Sequence, residues 1–281
     1  MTPANRAKQA PPNELGALLR HWRDLRGTSQ LDLSFNAGVS QRHISFIESG
    51  RSVPSRQMLL DIAQTLDIPL RERNALLLAA GYAPMYADTA WNAQEMQSVT
   101  KALGRMLRQH EPFPALVMDR YWNVLMTNDA APRFFNCFID VAARKGPRNM
   151  LHLVFDPDGM RPFIADWPSV STSLIQRVHR ESVGRVMDDS TRELLASLRA
   201  YPDVPTDNRP VHLQGDGSAA MPVIPIGFVK DGHVLNYFSM VASVGTPLSV
   251  AAQELRIECM FPADDGTEAL HLEMLEALPQ Q

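Results

Sequence analysis

The chain has 281 residues, 45% hydrophobic and 21% charged, with a formal net charge of -4. That length and balance fit one large or two ordinary globular domains and exclude a disordered chain. No apolar run approaches the roughly 20 residues that span a bilayer, so no membrane partner is expected.

The whole-chain charge hides a split. Residues 1–86 hold 10 Lys+Arg against 7 Asp+Glu, or +3, and the remainder holds 17 against 24, or -7. A mildly basic front on an acidic back predicts two units with different partners. Only Cys137 and Cys259 occur, far apart and in no CxxC pair, which argues against a disulfide framework and for a reducing cytoplasm. Residues 1–13, within MTPANRAKQAPPNE, have no apolar signal core and read as a short disordered arm.

Five short helices are predicted between Glu14 and Gly81, within a first domain over 14–82. Leu15, Leu18, Leu19, Trp22 and Leu25 have helical spacing and end near Gly27. Ser29 with Asp32 is a capping box for the second helix, which Gly38 stops. Ser40 caps the third and Gly50 closes it. The fourth follows Pro54, with Met58, Leu59, Ile62, Ala63 and Leu66 inward, and the fifth begins at Pro69. Helices two and three meet around Gly38, where a left-handed turn is possible, and the small Ser34 lets them cross closely. This is helix-turn-helix patterning, whose second helix puts its first residues against base edges in the major groove.

SQRHISFIESGR, residues 40–51, is that second helix. Ile44 and Ile47 face the bundle and turn Gln41, Arg42, Ser45 and Phe46 the other way. Gln41 suits an adenine edge, Arg42 a guanine, and Phe46 a thymine methyl, with Ser45 beside them. Gln30, Arg23, His43, Arg51 and Arg56 are expected toward the phosphates. The alternative is a plain bundle with one exposed ring.

TSQLDLSFNAGVSQRHISFIESGRSVPSRQMLLDIAQTLDIP resembles the Cro/lambda-repressor type helix-turn-helix of the xenobiotic-response-element family. The resemblance implies base reading by Gln41 and Arg42, phosphate support from Gln30, and a structural ion pair between Arg23 and Glu48. Many relatives carry a polar residue where this chain has Phe46.

Residues 83–109 read as a connector and a linking amphipathic helix, with Met96, Val99, Leu103, Met106 and Leu107 on one face. PALVMDRYWNVLMTND predicts two strands around a tight turn. Asn128 or Asp129 then caps a helix holding Phe134, Phe135 and Phe138. More helix is expected between Pro168 and Tyr201. PVIPIGFVKDGHVLNYFSMVASVG predicts two strands about KDGH, and ELRIECMFPAD another. The second domain, 110–265, is therefore predicted as α+β with an antiparallel sheet, and 266–281 as a tail.

Catalytic patterns are weak here. GDGSAA at 215–220 reads as a turn, and His152, His179, His212 and His233 have no metal-ligand spacing. Cys137 reads as a buried apolar thiol, and Asp156, Asp158 and Asp166 as turn chemistry. No enzyme activity, cofactor or metal is expected. Apolar and aromatic residues dominate instead, fitting a plain core or a ligand pocket.

NMLHLVFDPDGMRPFIADW, preceded by PALVMDRYWNVLMTNDAAPRFF, resembles the C-terminal domain of MmyB-like transcription regulators. The resemblance implies a PAS-like domain that takes a fatty-acid-like apolar ligand. Candidate lining residues are Trp122, Phe134, Phe155, Phe228, Phe238 and Met240, with Arg161 as a carboxylate anchor and Trp167 as a wall. Together these readings predict a multidomain, homodimeric regulator of a double-stranded DNA operator, with half-sites about 34 Å apart. The alternative is a back domain that only dimerises or docks proteins, without ligand.

Overall fold

A computed structural model describes residues 14–182, 188–205 and 225–277. The expected arm, GDGSAA and His212 lie outside these residues. The chain divides into two compact units, Met1–Asp88 with Leu248–Val250, and Thr89–Pro247 with Ala251–Gln281.

The first unit contains the five predicted helices, α1 Glu14–Leu25, α2 Gln30–Ala37, α3 Gln41–Glu48, α4 Arg56–Thr65 and α5 Leu70–Ala79. The Ser29 hydroxyl accepts from the Asp32 amide while the Asp32 carboxylate accepts from the Ser29 amide, completing the capping box. Gly38 takes φ 64°, the left-handed conformation that lets α2 stop and α3 start within three residues. The Ser40 and Ser55 hydroxyls cap α3 and α4. Leu19, Trp22, Leu33, Ile44, Ile47, Leu59 and Ile62 fill the core, each no more than 1% exposed. Met58 is only half-buried, at the margin of its helix's inward face.

Among the described residues, the second unit is built on five antiparallel strands in the order β2-β1-β5-β4-β3. These are β1 Ala115–Met118, β2 Val124–Thr127, β3 Ile226–Lys230, β4 His233–Ser243 and β5 Arg256–Pro262. β1 lies between β2 and β5, so strands from the two ends of the unit meet in mid-sheet. Between β2 and β3 run α7 Ala130–Asn136, α8 Met150–Phe155, α9 Trp167–Glu181 and α10 Asp189–Arg199. These helices share one large core with the sheet, through Leu151, Leu174, Leu195, Phe228 and Tyr237. α6, Gln97–Gln109, contributes Leu103 and Leu107 to a second cluster with Ala115, Val117 and Ile257.

Several predicted boundaries change. The linking helix α6 packs on the strands of the back unit through Val99, Leu103 and Leu107, while its Met106 is 44% exposed. Asn128, not Asp129, caps α7: its Oδ1 accepts from the Ala131 and Ala115 amides at 3.1 and 2.9 Å. α7 ends before Phe138. Cys137 is half-buried, with burial raising its thiol pKa. Where a tail is predicted, α12 spans Asp265–Glu276, capped by Asp264. Its His271 is fully buried, and α11, Val250–Glu254, precedes β5.

Candidate functional site

In the first unit α3 ends on one buried acid, Glu48. The Glu48 side chain is 1% exposed and accepts from Arg23 Nε at 2.7 Å and from Gln30 Nε2 at 2.9 Å. Arg20 Nε stands 3.4 Å from the same carboxylate, a partner the sequence reading misses. Burial pushes the Glu48 pKa up, but hydrogen bonds from Arg23 and Gln30 and the Arg23 charge outweigh it and hold it below the ordinary value. Arg23 and Gln30, expected toward phosphates, thus spend donors on Glu48 instead, because an unpaired carboxylate at that depth would be costly.

Around this brace, Gln41, Arg42, Arg51 and Arg56 are exposed, while His43, Ser45 and Phe46 are half-buried. The structure gathers Arg42, Phe46 and Arg51: the two guanidinium carbons lie 5.2 and 5.7 Å from the Phe46 ring centre. The turn through Gly50, at φ 75°, brings the Arg51 amide back to the Phe46 carbonyl at 2.8 Å. His43 Nε2 lies 3.4 Å from the Ser52 hydroxyl. Arg42, Arg51 and Arg56 make no ion pair among the described residues, leaving three cations available for an anionic partner.

In the second unit a cavity of about 340 Å³ opens between β3–β5 and the helices α8 and α9. Leu151, Val154, Leu174, Phe228 and Met260 give it an apolar lining, and Trp122 closes one side. Trp122 adopts φ 67°, a left-handed conformation that costs a bulky residue roughly 1–2 kcal/mol. Asp119 holds that turn: its carbonyl accepts from the Trp122 amide at 3.1 Å, and its carboxylate from the Tyr121 and Asn123 amides. The Met150 amide donates to the Trp122 carbonyl at 2.9 Å, tying the turn to α8.

A charged pole sits at this wall. The Arg177 guanidinium carbon lies 4.5 Å from the centre of the Trp122 ring system. Its Nη1 and Nη2 donate to the two Glu258 oxygens at 3.1 and 3.0 Å, and its Nε to Glu181 at 2.7 Å. Arg256 donates to the Glu181 carboxylate and, at 2.7 Å, to its carbonyl. Burial lowers the Arg177 pKa, but the charges and hydrogen bonds of Glu258 and Glu181 together raise it above its ordinary value. Arg180, exposed, also lines the cavity.

Of the predicted lining residues, Trp122, Phe228 and Phe238 are at the cavity. Phe134 and Phe155 are fully buried core rings instead. Phe134 packs against Phe135, Phe138, Phe228 and Tyr237 at 5.2–5.4 Å, and Phe155 edges Trp167 at 5.0 Å. Met240 is 61% exposed and is not among the cavity residues, although Phe238, Ser239 and Val241 beside it in β4 are. Arg161 pairs with Asp203 and stacks on Trp167 at 5.2 Å, by a shallow pocket with Pro157 and Pro162. Arg161 and Trp167 are therefore not at the cavity. The sequence reading misses Arg177, Arg180 and Glu258, which reach the cavity from a helix and from the last strand.

Burial lowers the pKa of His152 and His179, and among the described residues no cluster of His, Cys, Asp or Glu could hold a metal ion. The Asp156 carboxylate accepts from the Asp158 amide in a turn, and Asp166 caps α9. No helix described is long and apolar enough to cross a membrane.

The family model for the helix-turn-helix matches residues 19–73, and that for the MmyB-like transcription regulator ligand binding domain matches residues 99–272. The second match takes in α6 and part of α12, as the packing does. No curated protein matches the chain. Both families are domains of transcription regulators, one binding DNA and one binding a ligand, which makes this a ligand-responsive regulator. The larger match covers more than half of the sequence, and the chain belongs to the MmyB-like transcription regulators.

Proposed function

We propose that the chain is a homodimeric, sequence-specific regulator whose DNA affinity is set by a fatty-acid-like amphiphile bound in its PAS-like back domain. The observation that carries the ligand reading is the cavity of about 340 Å³, apolar along Leu151, Leu174, Phe228 and Met260 and charged at one wall. That volume is within the range of small-molecule sites, and the strained Trp122 at its edge is what binding sites commonly retain. Gln41 and Arg42 read base edges, with Ser45 beside them, while Arg51, Arg56 and His43 face phosphates. A front charge of +3 makes one module a weak binder, and dimerisation multiplies two weak contacts through effective concentration. Ligand acts by favouring one dimer arrangement and hence one spacing of the two recognition helices.

Native mass spectrometry of freshly purified full-length protein tests this reading. A dimer carrying an extra mass of a few hundred daltons, released on denaturation as an acyl amphiphile, is the expected result. A monomer would overturn the two-half-site scheme. A ligand-free dimer that also fails to bind added amphiphile would favour a back domain that only dimerises.

A further inference from the structure

We infer that Arg180 holds the anionic head of the ligand at the cavity mouth, with the apolar tail directed inward. This rests on the amphiphile reading above and adds to it an orientation and a head-group residue.

The charges at the wall decide the matter. Each of the three Arg177 guanidinium nitrogens already donates to Glu258 or Glu181. Arg256 is likewise engaged by Glu181. A carboxylate pushed to this depth would have to compete with Glu258 for Arg177 while facing the Glu258 charge. Both acids are within the partly dehydrated wall, where like charges repel most strongly. Arg180 stands three residues further along α9, so it lies on the same helix face. It lines the cavity, is exposed, and makes no ion pair among the described residues. A head group there keeps its hydration on one side and gains a guanidinium on the other. The tail then meets Leu151, Val154, Leu174, Phe228 and Met260. At roughly 30 Å³ per water-sized group, about 340 Å³ holds about eleven groups, so a ten-carbon chain is the right probe.

Isothermal titration of the full-length protein with decanoate and with 1-decanol separates head from tail. The wild-type chain is expected to prefer decanoate by about fivefold, the upper end for a partly exposed ion pair. Arg180→Gln should abolish that preference and leave decanol affinity unchanged, and Arg180→Lys should keep most of it. An unchanged melting temperature of each variant excludes a folding defect. Retention of the decanoate preference in Arg180→Gln overturns the assignment, as does a wild-type chain that binds both compounds equally. If neither compound binds the wild type, the amphiphile reading falls and Arg180 with it.

Discussion

The two units bury their charges in opposite patterns. In the front unit one acid, Glu48, gathers Arg23, Gln30 and Arg20, and the result is a brace at the end of α3. In the back unit one arginine, Arg177, gathers Glu258 and Glu181 beneath Trp122, and the result is a cavity wall. The brace leaves its neighbouring cations, Arg42, Arg51 and Arg56, exposed on the outside, where an anionic polymer can reach them. The wall neutralises its own charge, so the space it borders remains a place for a mostly apolar molecule. A buried ion cluster can therefore support recognition by leaving charge outside it or by cancelling charge beside it.

Breaking the brace should have the largest effect. Glu48→Ala leaves Arg23 with only 14% side-chain exposure and no buried acid. It should cost about 3–5 kcal/mol in the front unit, read as a lowered calorimetric transition; a loss under about 1 kcal/mol would mean that water already screens the cluster. Arg177→Met keeps the stem but strands Glu258, and should destabilise the back unit by about 2–3 kcal/mol while leaving the front transition in place. Movement of both transitions together would contradict the treatment of the two units as separate. Arg42→Ala touches neither cluster. It should weaken operator binding by about 1–3 kcal/mol and relax the preference at one base pair of each half-site. An unchanged selection profile would remove Arg42 from the reading face.

The smallest effect distinguishes the units by pH. His271 is buried, with Nε2 3.0 Å from the Pro112 carbonyl and Nδ1 2.8 Å from the Tyr237 hydroxyl. Nε2 must donate to that carbonyl, so in the neutral ring Nδ1 accepts from Tyr237. Burial holds the imidazole below its ordinary value, and His152 and His179 shift the same way for the same first reason. The unfolded chain then binds more protons, so this stability is present above about pH 6.5 and is lost as pH falls below it. The back-unit melting temperature should drop between about pH 7.5 and 5.5, with a shallower slope in His271→Gln. Identical slopes would exclude His271 as a contributor.

What the sequence made legible follows the same division. Ser29 with Asp32, Gly38 and Ser40 act on neighbours within a few residues, so the helices and the turn between them are legible from local signals alone. The strands of the back unit were equally clear, because alternation and the Asp231–Gly232 turn, with φ 50° and 82°, are local too. The cavity is not local. Trp122, Arg177 and Glu258 come from a turn, a helix and the last strand, and no spacing in the chain announces that they touch. Phe134 and Phe155 show the converse error, since large rings mark a core as readily as a pocket. Arg161 lies against Trp167 with Asp203 as its partner, a pairing that a cation next to aromatic sequence does not announce.

The central claim is that an amphiphile in the back unit changes what the front unit does. It is tested most directly by the affinity of the full-length chain for a duplex it has itself selected from a random pool, measured with and without saturating decanoate. Coupling of 1–3 kcal/mol, the usual size, would shift the dissociation constant by roughly 5- to 150-fold. Decanoate that binds the protein while leaving that constant unchanged would contradict the account.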